Sequence, residues 1–166
     1  MKPTEVEILL VDDNPADLEL TMHALRRSRV VNHIEVARDG REAMDFLLCR
    51  GTYAGRSGSS LPKLVLLDLK LPGTDGLDLL RELRSHRQTR FIPVIVLTSS
   101  RRRQDMVESY KLGANSFVQK VVDFERFCES IKELGFYWLA INQTVLPKAE
   151  PTEQLTQGRS SSFYPA

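Results

Sequence analysis

Short apolar runs that stop abruptly on polar or charged residues recur along this chain. Glu7-Ile8-Leu9-Leu10-Val11 is cut off by Asp12-Asp13-Asn14-Pro15, and Ile34-Glu35-Val36-Ala37 leads into the turn Asp39-Gly40. Leu64-Val65-Leu66-Leu67 stops at Asp68, Pro93-Val94-Ile95-Val96-Leu97 runs into Thr98-Ser99-Ser100, and Ser116-Phe117-Val118 ends near Lys120. Runs of this length bounded by turn residues read as strands. The segments between them carry helical spacing. Leu18, Met22 and Leu25 recur at i, i+4, i+7 behind the Asn14-Pro15 start, with Glu19, Arg26 and Arg27 on other faces. Ala43, Met44, Leu47 and Leu48 mark a second helix, Leu77, Leu80 and Leu83 a third, and Met106, Val107 and Tyr110 a fourth. Gly51 to Pro62 is rich in Gly and Ser without periodicity, and reads as an exposed, mobile connection.

Five strands alternating with helices predict an α/β fold with a doubly wound parallel sheet and helices on both faces. The unbroken apolar run Leu64-Val65-Leu66-Leu67 suits a central strand covered on both sides. Ligands of such sheets bind beyond the carboxyl ends of the strands, so Asp12, Asp13, Asp68, Thr98 and Lys120 are the positions to read for chemistry.

A chain of 166 residues with 42% hydrophobic content can build one compact domain. Its 23 basic and 22 acidic residues leave a formal charge of +1, which gives no electrostatic case for binding nucleic acid or an anionic membrane. Cys49 and Cys128 lie outside metal-type spacing, in apolar helical patterns, and read as reduced core or interface thiols. Met1 to Glu7 lacks an apolar signal core, and no stretch approaches the ~18 apolar residues of a membrane span, so a cytoplasmic location is expected.

Three carboxylates gathered at one sheet rim repel one another unless a cation is present. Mg²⁺ prefers oxygen ligands and bridges carboxylates to phosphate oxygens. Thr98 can donate a hydroxyl hydrogen bond, and Lys120 a positive charge, to the oxygens of a transferring phosphoryl group. Asp68, projecting from the most buried strand, suits the nucleophile, and the adjacent Asp12-Asp13 suits cation capture. Taken singly, an Asp-Asp turn, a Thr-Ser-Ser helix cap or a surface lysine would each be ordinary. Their joint order at successive strand ends is not. His23, His33 and His86 sit mid-helix, at a strand start and in a polar loop, and suggest neither a triad nor a zinc site.

LLVDDNP, LVLLDLKLPGTDGLDLL, PVIVLTSS and SFVQK together resemble the receiver domain of two-component response regulators, over roughly residues 6–134. The resemblance implies a CheY-like, flavodoxin-like sheet of strand order 2-1-3-4-5 and a phosphoryl group accepted on Asp68 from a sensor histidine kinase. It also implies Mg²⁺ held by Asp13, Asp68 and the Lys70 backbone carbonyl, with Asp12 assisting. Thr98 and Lys120 match the switch residues, Phe117 the switch aromatic, and the backbone amides of Leu69 and Ser99 complete the phosphoryl cradle. A protein of this kind is a phosphoacceptor rather than an enzyme. A kinase-docking or phosphate-sink scaffold is an alternative. An aspartyl-nucleophile phosphatase is another, although Lys70 stands where that class needs a second carboxylate.

Most receivers carry proline after the switch lysine, with a cis peptide bond before it. Here Val121 follows Lys120. A cis bond without proline costs about 2.5–4 kcal/mol, so a trans bond or a strained loop, with altered placement of Lys120, is expected. Phe124, Phe127, Ile131, Leu134, Trp138 and Ile141 follow a heptad-like spacing, and Phe136, Tyr137 and Leu139 add apolar residues around it. This predicts a homodimer built on Phe127, Ile131, Leu134, Trp138 and Ile141 and on the following arm, Asn142 to Pro147. The same segment is similar to response regulators that serve bacterial phytochromes, which implies a bacteriophytochrome as phosphodonor. Residues 1–147 are expected to form the receiver with its dimerisation helix and arm. Residues 148–166, rich in Glu, Thr, Gln, Ser and Pro, are expected to be a disordered tail.

Overall fold

The computed structural model describes residues 6–29, 33–56 and 60–145. Strands β1 (Ile8–Val11), β2 (Ile34–Ala37), β3 (Leu64–Leu67), β4 (Val94–Thr98) and β5 (Ser116–Gln119) alternate with helices α1 (Pro15–Arg27), α2 (Gly40–Leu47), α3 (Gly76–Ser85), α4 (Arg103–Lys111) and α5 (Phe124–Phe136). The strands form one sheet in the order β2-β1-β3-β4-β5, parallel throughout. The doubly wound fold and its strand order are as the sequence implies.

Alternation along the strands divides the core in two. Leu9, Val11, Val65, Leu67, Val94 and Val96 face one side and pack on Met44, Phe46, Leu79, Leu80 and Leu83 of α2 and α3. Ile8, Leu10, Leu64, Leu66, Ile95 and Leu97 face the other and pack on Leu18, Leu25, Phe127 and Ile131 of α1 and α5. β3 is the middle strand, and all four of its residues are buried, each side chain contributing about 2 kcal/mol. α4 is different. Only Ser109 of it is buried, and Val107 and Tyr110 stay exposed.

Several sequence expectations change. Phe127 and Ile131, expected in a dimer seam, are 2% and 1% exposed against α1 and the sheet, so they belong to the core of this chain. A heptad spacing fits a core-facing stripe as well as an intermolecular one. The period also breaks at a π-type turn over Tyr137–Ile141, closed by Asn142 N–H donating to the Tyr137 carbonyl at 2.7 Å. Leu146 and Pro147 of the arm and residues 148–166 lie outside the described residues. The connection after α2 is partly structured: Gly51–Tyr53 forms a 3₁₀ turn, Tyr53 packs edge-on against Phe46, and Arg56 lies over that ring and donates to the Phe46 carbonyl. Burial, with Glu42 and Glu35 nearby, pushes the Tyr53 phenol up to about 12. Cys49 follows α2 in a left-handed conformation, whereas Cys128 is buried in α5. No helix among the described residues is long and apolar enough to cross a membrane.

Arg84 ties the opposite end of the sheet together. Its Nε and one terminal nitrogen donate to the Gly113 carbonyl at 3.0 and 2.7 Å, and that same nitrogen reaches Asn115 Oδ1 at 2.9 Å. The other terminal nitrogen donates to the carbonyls of Arg90 and Ile92 at 3.0 and 2.8 Å. All of its N–H donors are engaged, and a lysine ammonium cannot reproduce the planar fork. Arg84→Lys is therefore expected to destabilise the fold by about 2 kcal/mol, read as a lowered urea midpoint, because the five-bond fork that joins the segments before β4 and β5 is lost and the part-buried Ile92 carbonyl loses its donor.

Candidate functional site

The site lies where β1, β3 and β5 end. Asp12 and Asp68 follow directly on buried strands, and parallel pairing sets Val11 beside Leu67, which brings the two carboxylates to one rim. Lys120 follows β5, where its amide donates to the Thr98 carbonyl at 2.8 Å. Its ammonium then crosses the rim and donates to Asp12 Oδ2 at 2.7 Å, Asp68 Oδ2 at 2.9 Å and Asp17 Oδ2 at 2.9 Å. The three carboxylates each present an oxygen within 4.8 Å of the others.

Asp12 and Asp68 are buried, and the Lys120 side chain is nearly so. Burial raises the Asp12 carboxyl above its ordinary range, against the lowering effect of its bonds to Lys120 and to the Asn14 amide. For Lys120 burial acts downward, but its hydrogen bonds to Asp12, Asp68 and Asp17 outweigh it and hold the ammonium charged well above the usual lysine range. Three negative charges against one positive leave this cluster at net −2. Such a set of hard oxygen donors, short of positive charge, fits a divalent cation.

The sequence-selected residues separate into those in direct contact and those nearby. Asp12, Asp68 and Lys120 are joined by hydrogen bonds, and the Lys70 amide donates to Asp68 Oδ1 at 3.2 Å. Asp13 is exposed and outside the three-carboxylate group. Leu69 is buried, whereas Lys70 and Ser99 are exposed. Thr98 is fully buried, and its hydroxyl accepts from the Ser100 amide at 3.3 Å. Phe117 pairs with Val96 in the sheet and is half-buried against the α2–α3 side of the core. There is no cis peptide bond among the described residues, so Lys120–Val121 is trans, and Lys120 nonetheless reaches Asp68. The altered placement expected from the missing proline does not occur.

Asp17 is the residue that the sequence reading missed. It occupies the third position of α1, an ordinary place for an acidic residue in a first helical turn. The available signal was its position directly behind the Asp-Asp-Asn-Pro turn.

A parallel five-stranded sheet with acidic residues and a lysine meeting at its carboxyl rim defines a receiver-type α/β domain. The sequence pattern of the response regulator receiver domain matches residues 8–132, and the chain belongs to that family. It is 40% identical over 140 residues to the probable methanogenesis regulatory protein FilR2 of Methanothrix harundinacea, covering 84% of this chain and 88% of that one. It is 36% identical over 132 residues to the response regulator Rcp1 of Synechocystis sp., covering 80% and 88%. The Mn(2+)-bound form of Rcp1 superposes with a TM-score of 0.76 at 34% identity, covering 87% of this chain and 99% of that one. The bacteriophytochrome response regulator AtBRR is 50% identical with a TM-score of 0.67, covering 85% and 100%.

Proposed function

We propose that this protein is a signalling switch whose Asp68 accepts a phosphoryl group from the phosphohistidine of a sensor histidine kinase, and that the kinase is a bacteriophytochrome. The observation that carries this is the Lys120 ammonium bonded to Asp12 and Asp68 at the end of the central strand. Similarity to the bacteriophytochrome response regulator AtBRR supports the phytochrome pathway. In the transfer, an Asp68 carboxylate oxygen bonds to phosphorus as the bond from phosphorus to the donor imidazole nitrogen breaks. The electron pair leaves with that nitrogen, which takes a proton from solvent.

Asp12 and Asp68, with Asp13 at the rim and the Lys70 carbonyl, would hold Mg²⁺, which when bound offsets negative charge on the phosphoryl oxygens. Lys120 supplies a fixed cation to the same oxygens, and the amides of Leu69 and Ser99 complete the cradle. The Thr98 hydroxyl accepts from the Ser100 amide, which leaves its own O–H to donate to the phosphoryl group, and its turn toward Asp68 frees space for Phe117 to follow inward. The new charge thereby reaches the partner-facing surface.

Incubation with acetyl phosphate and Mg²⁺, followed by intact mass, tests this. Wild type is expected to gain one phosphoryl group and Asp68→Asn none. No gain in wild type would refute the proposal.

The far end of α5 favours self-association as well. Ile141 and Val145 are 56% and 71% exposed beside exposed Phe136 and Tyr137, and Leu134 and Trp138 are only half-buried. Ile141→Glu is expected to weaken a homodimer at least about ten-fold in sedimentation equilibrium, since it places a charge in an apolar contact. A concentration-independent monomer mass for wild type would end this reading.

A further inference from the structure

Asp17 is aimed at Lys120 by a local arrangement that leaves it no other task. Asn14 caps α1, its side-chain oxygen accepting from the amides of Ala16 and Asp17 at 3.0 and 3.1 Å. An acid at the third helical position ordinarily bends back to the amide of the capping residue. Here the Asn14 amide already donates to Asp12 Oδ1 at 3.0 Å. The Asp17 carboxylate instead reaches the end of β5 and accepts from Lys120.

The three hydrogens of the ammonium are matched by three carboxylate acceptors, so Lys120 has no donor to spare for a phosphoryl oxygen. At least one bond must open when Asp68 is phosphorylated. Asp12 and Asp68 are also the carboxylates required for the divalent ion and for the phosphoryl bond itself. Asp17 is the outermost of the three, its side chain 36% exposed against 2% and 8% for Asp12 and Asp68. It can follow small movements of the ammonium without disturbing the core.

We propose that Asp17 is a positioning residue for phosphoryl transfer, the carboxylate that keeps hold of Lys120 while its bonds to Asp12 and Asp68 open. This rests on the switch function proposed above. A carboxylate is needed because it adds the attraction of opposite charges to the hydrogen bond, which a neutral acceptor lacks. Asp17→Asn retains the shape and an acceptor oxygen but removes the charge.

The test uses the full chain with acetyl phosphate at saturating Mg²⁺, the phosphorylation rate being followed by intact mass. Asp17→Asn is expected to slow phosphorylation about five-fold. In a Lys120→Met background the same substitution is expected to change the rate by less than about two-fold, since a residue acting through Lys120 has nothing left to position. A readout without metal or phosphodonor accompanies it: the ¹⁵N-detected ammonium signal of Lys120, expected to be sharp in wild type and exchange-broadened in Asp17→Asn. A wild-type rate in Asp17→Asn, or an equal slowing in both backgrounds, would overturn the assignment. So would an unchanged ammonium signal. Failure of wild type to be phosphorylated at all would instead refute the switch function, which separates the two failures.

Discussion

Gly76→Ala is expected to lower the stability of this protein by about 3 kcal/mol and to disturb the strand end that carries Asp68. Helix propensity alone predicts the opposite sign. Gly76 is the first residue of α3 behind the Asp75 cap, and alanine in a helix is favoured over glycine by up to about 1 kcal/mol. The contact decides the matter. A Cβ at Gly76 would lie 2.5 Å from the Asp68 carbonyl oxygen and 2.5 Å from the Leu69 Cα, distances that real Cβ atoms do not adopt. Both obstacles are backbone, directly after a strand buried on both faces, and the Gly76 amide donates to the Leu69 carbonyl at 2.9 Å. The chain cannot separate there without breaking that bond or shifting Asp68. Gly55 provides the control, because a Cβ there meets nothing within 4 Å. Urea midpoints should fall sharply for Gly76→Ala and stay near wild type for Gly55→Ala. An unchanged Gly76→Ala midpoint would show that the loop yields more easily than its contacts imply.

The parts of this structure that could be read in advance are those where burial leaves a local pattern. Parallel strands covered on both faces read as unbroken apolar runs, so β1, β3 and β4 were visible at once, and with them the rim positions Asp12, Asp68 and Thr98. What escaped depends on partners distant in sequence. Asp17 looks like any first-turn acid until the Asn14 amide is seen to be taken by Asp12 and β5 is seen to deliver Lys120. Phe127 and Ile131 carry a spacing that suits either a dimer seam or a core stripe, and only their packing with α1 settles it. The Gly- and Ser-rich connection concealed Tyr53 and Arg56, whose order comes from packing on Phe46 and from hydrogen bonds to Glu42 and to the Phe46 and Ser60 carbonyls rather than from periodicity.

Lys120→Met should be the most informative single change at the site, because it removes the ammonium and keeps a side chain of similar length. Three carboxylates would remain within 4.8 Å of one another. At an effective dielectric near 20, a pair of charges 4.8 Å apart repels by about 3.5 kcal/mol, and the exposed position of Asp17 reduces its share. A net loss of about 2–4 kcal/mol is expected at pH 8 and low salt. The sign with pH follows from Asp12. Burial already raises its carboxyl above the unfolded value, and losing Lys120 removes the main opposing influence. A carboxyl with a raised folded pKa binds its proton more tightly in the native state, so stability returns as pH falls through that raised value toward the ordinary carboxylate range. The wild-type lysine behaves differently. Its folded pKa is raised, so its contribution is present throughout the neutral range and is lost only when pH rises through that raised value. Urea midpoints at pH 5 and pH 8 should therefore converge for wild type and Lys120→Met at the acidic end and diverge at the alkaline one. Millimolar Mg²⁺ at pH 8 is expected to recover most of the difference, because a divalent cation supplies the positive charge that the substitution removed. Equal midpoints at pH 8 without Mg²⁺ would mean that the carboxylates balance themselves by protonation or movement, and that Lys120 serves the phosphoryl group alone.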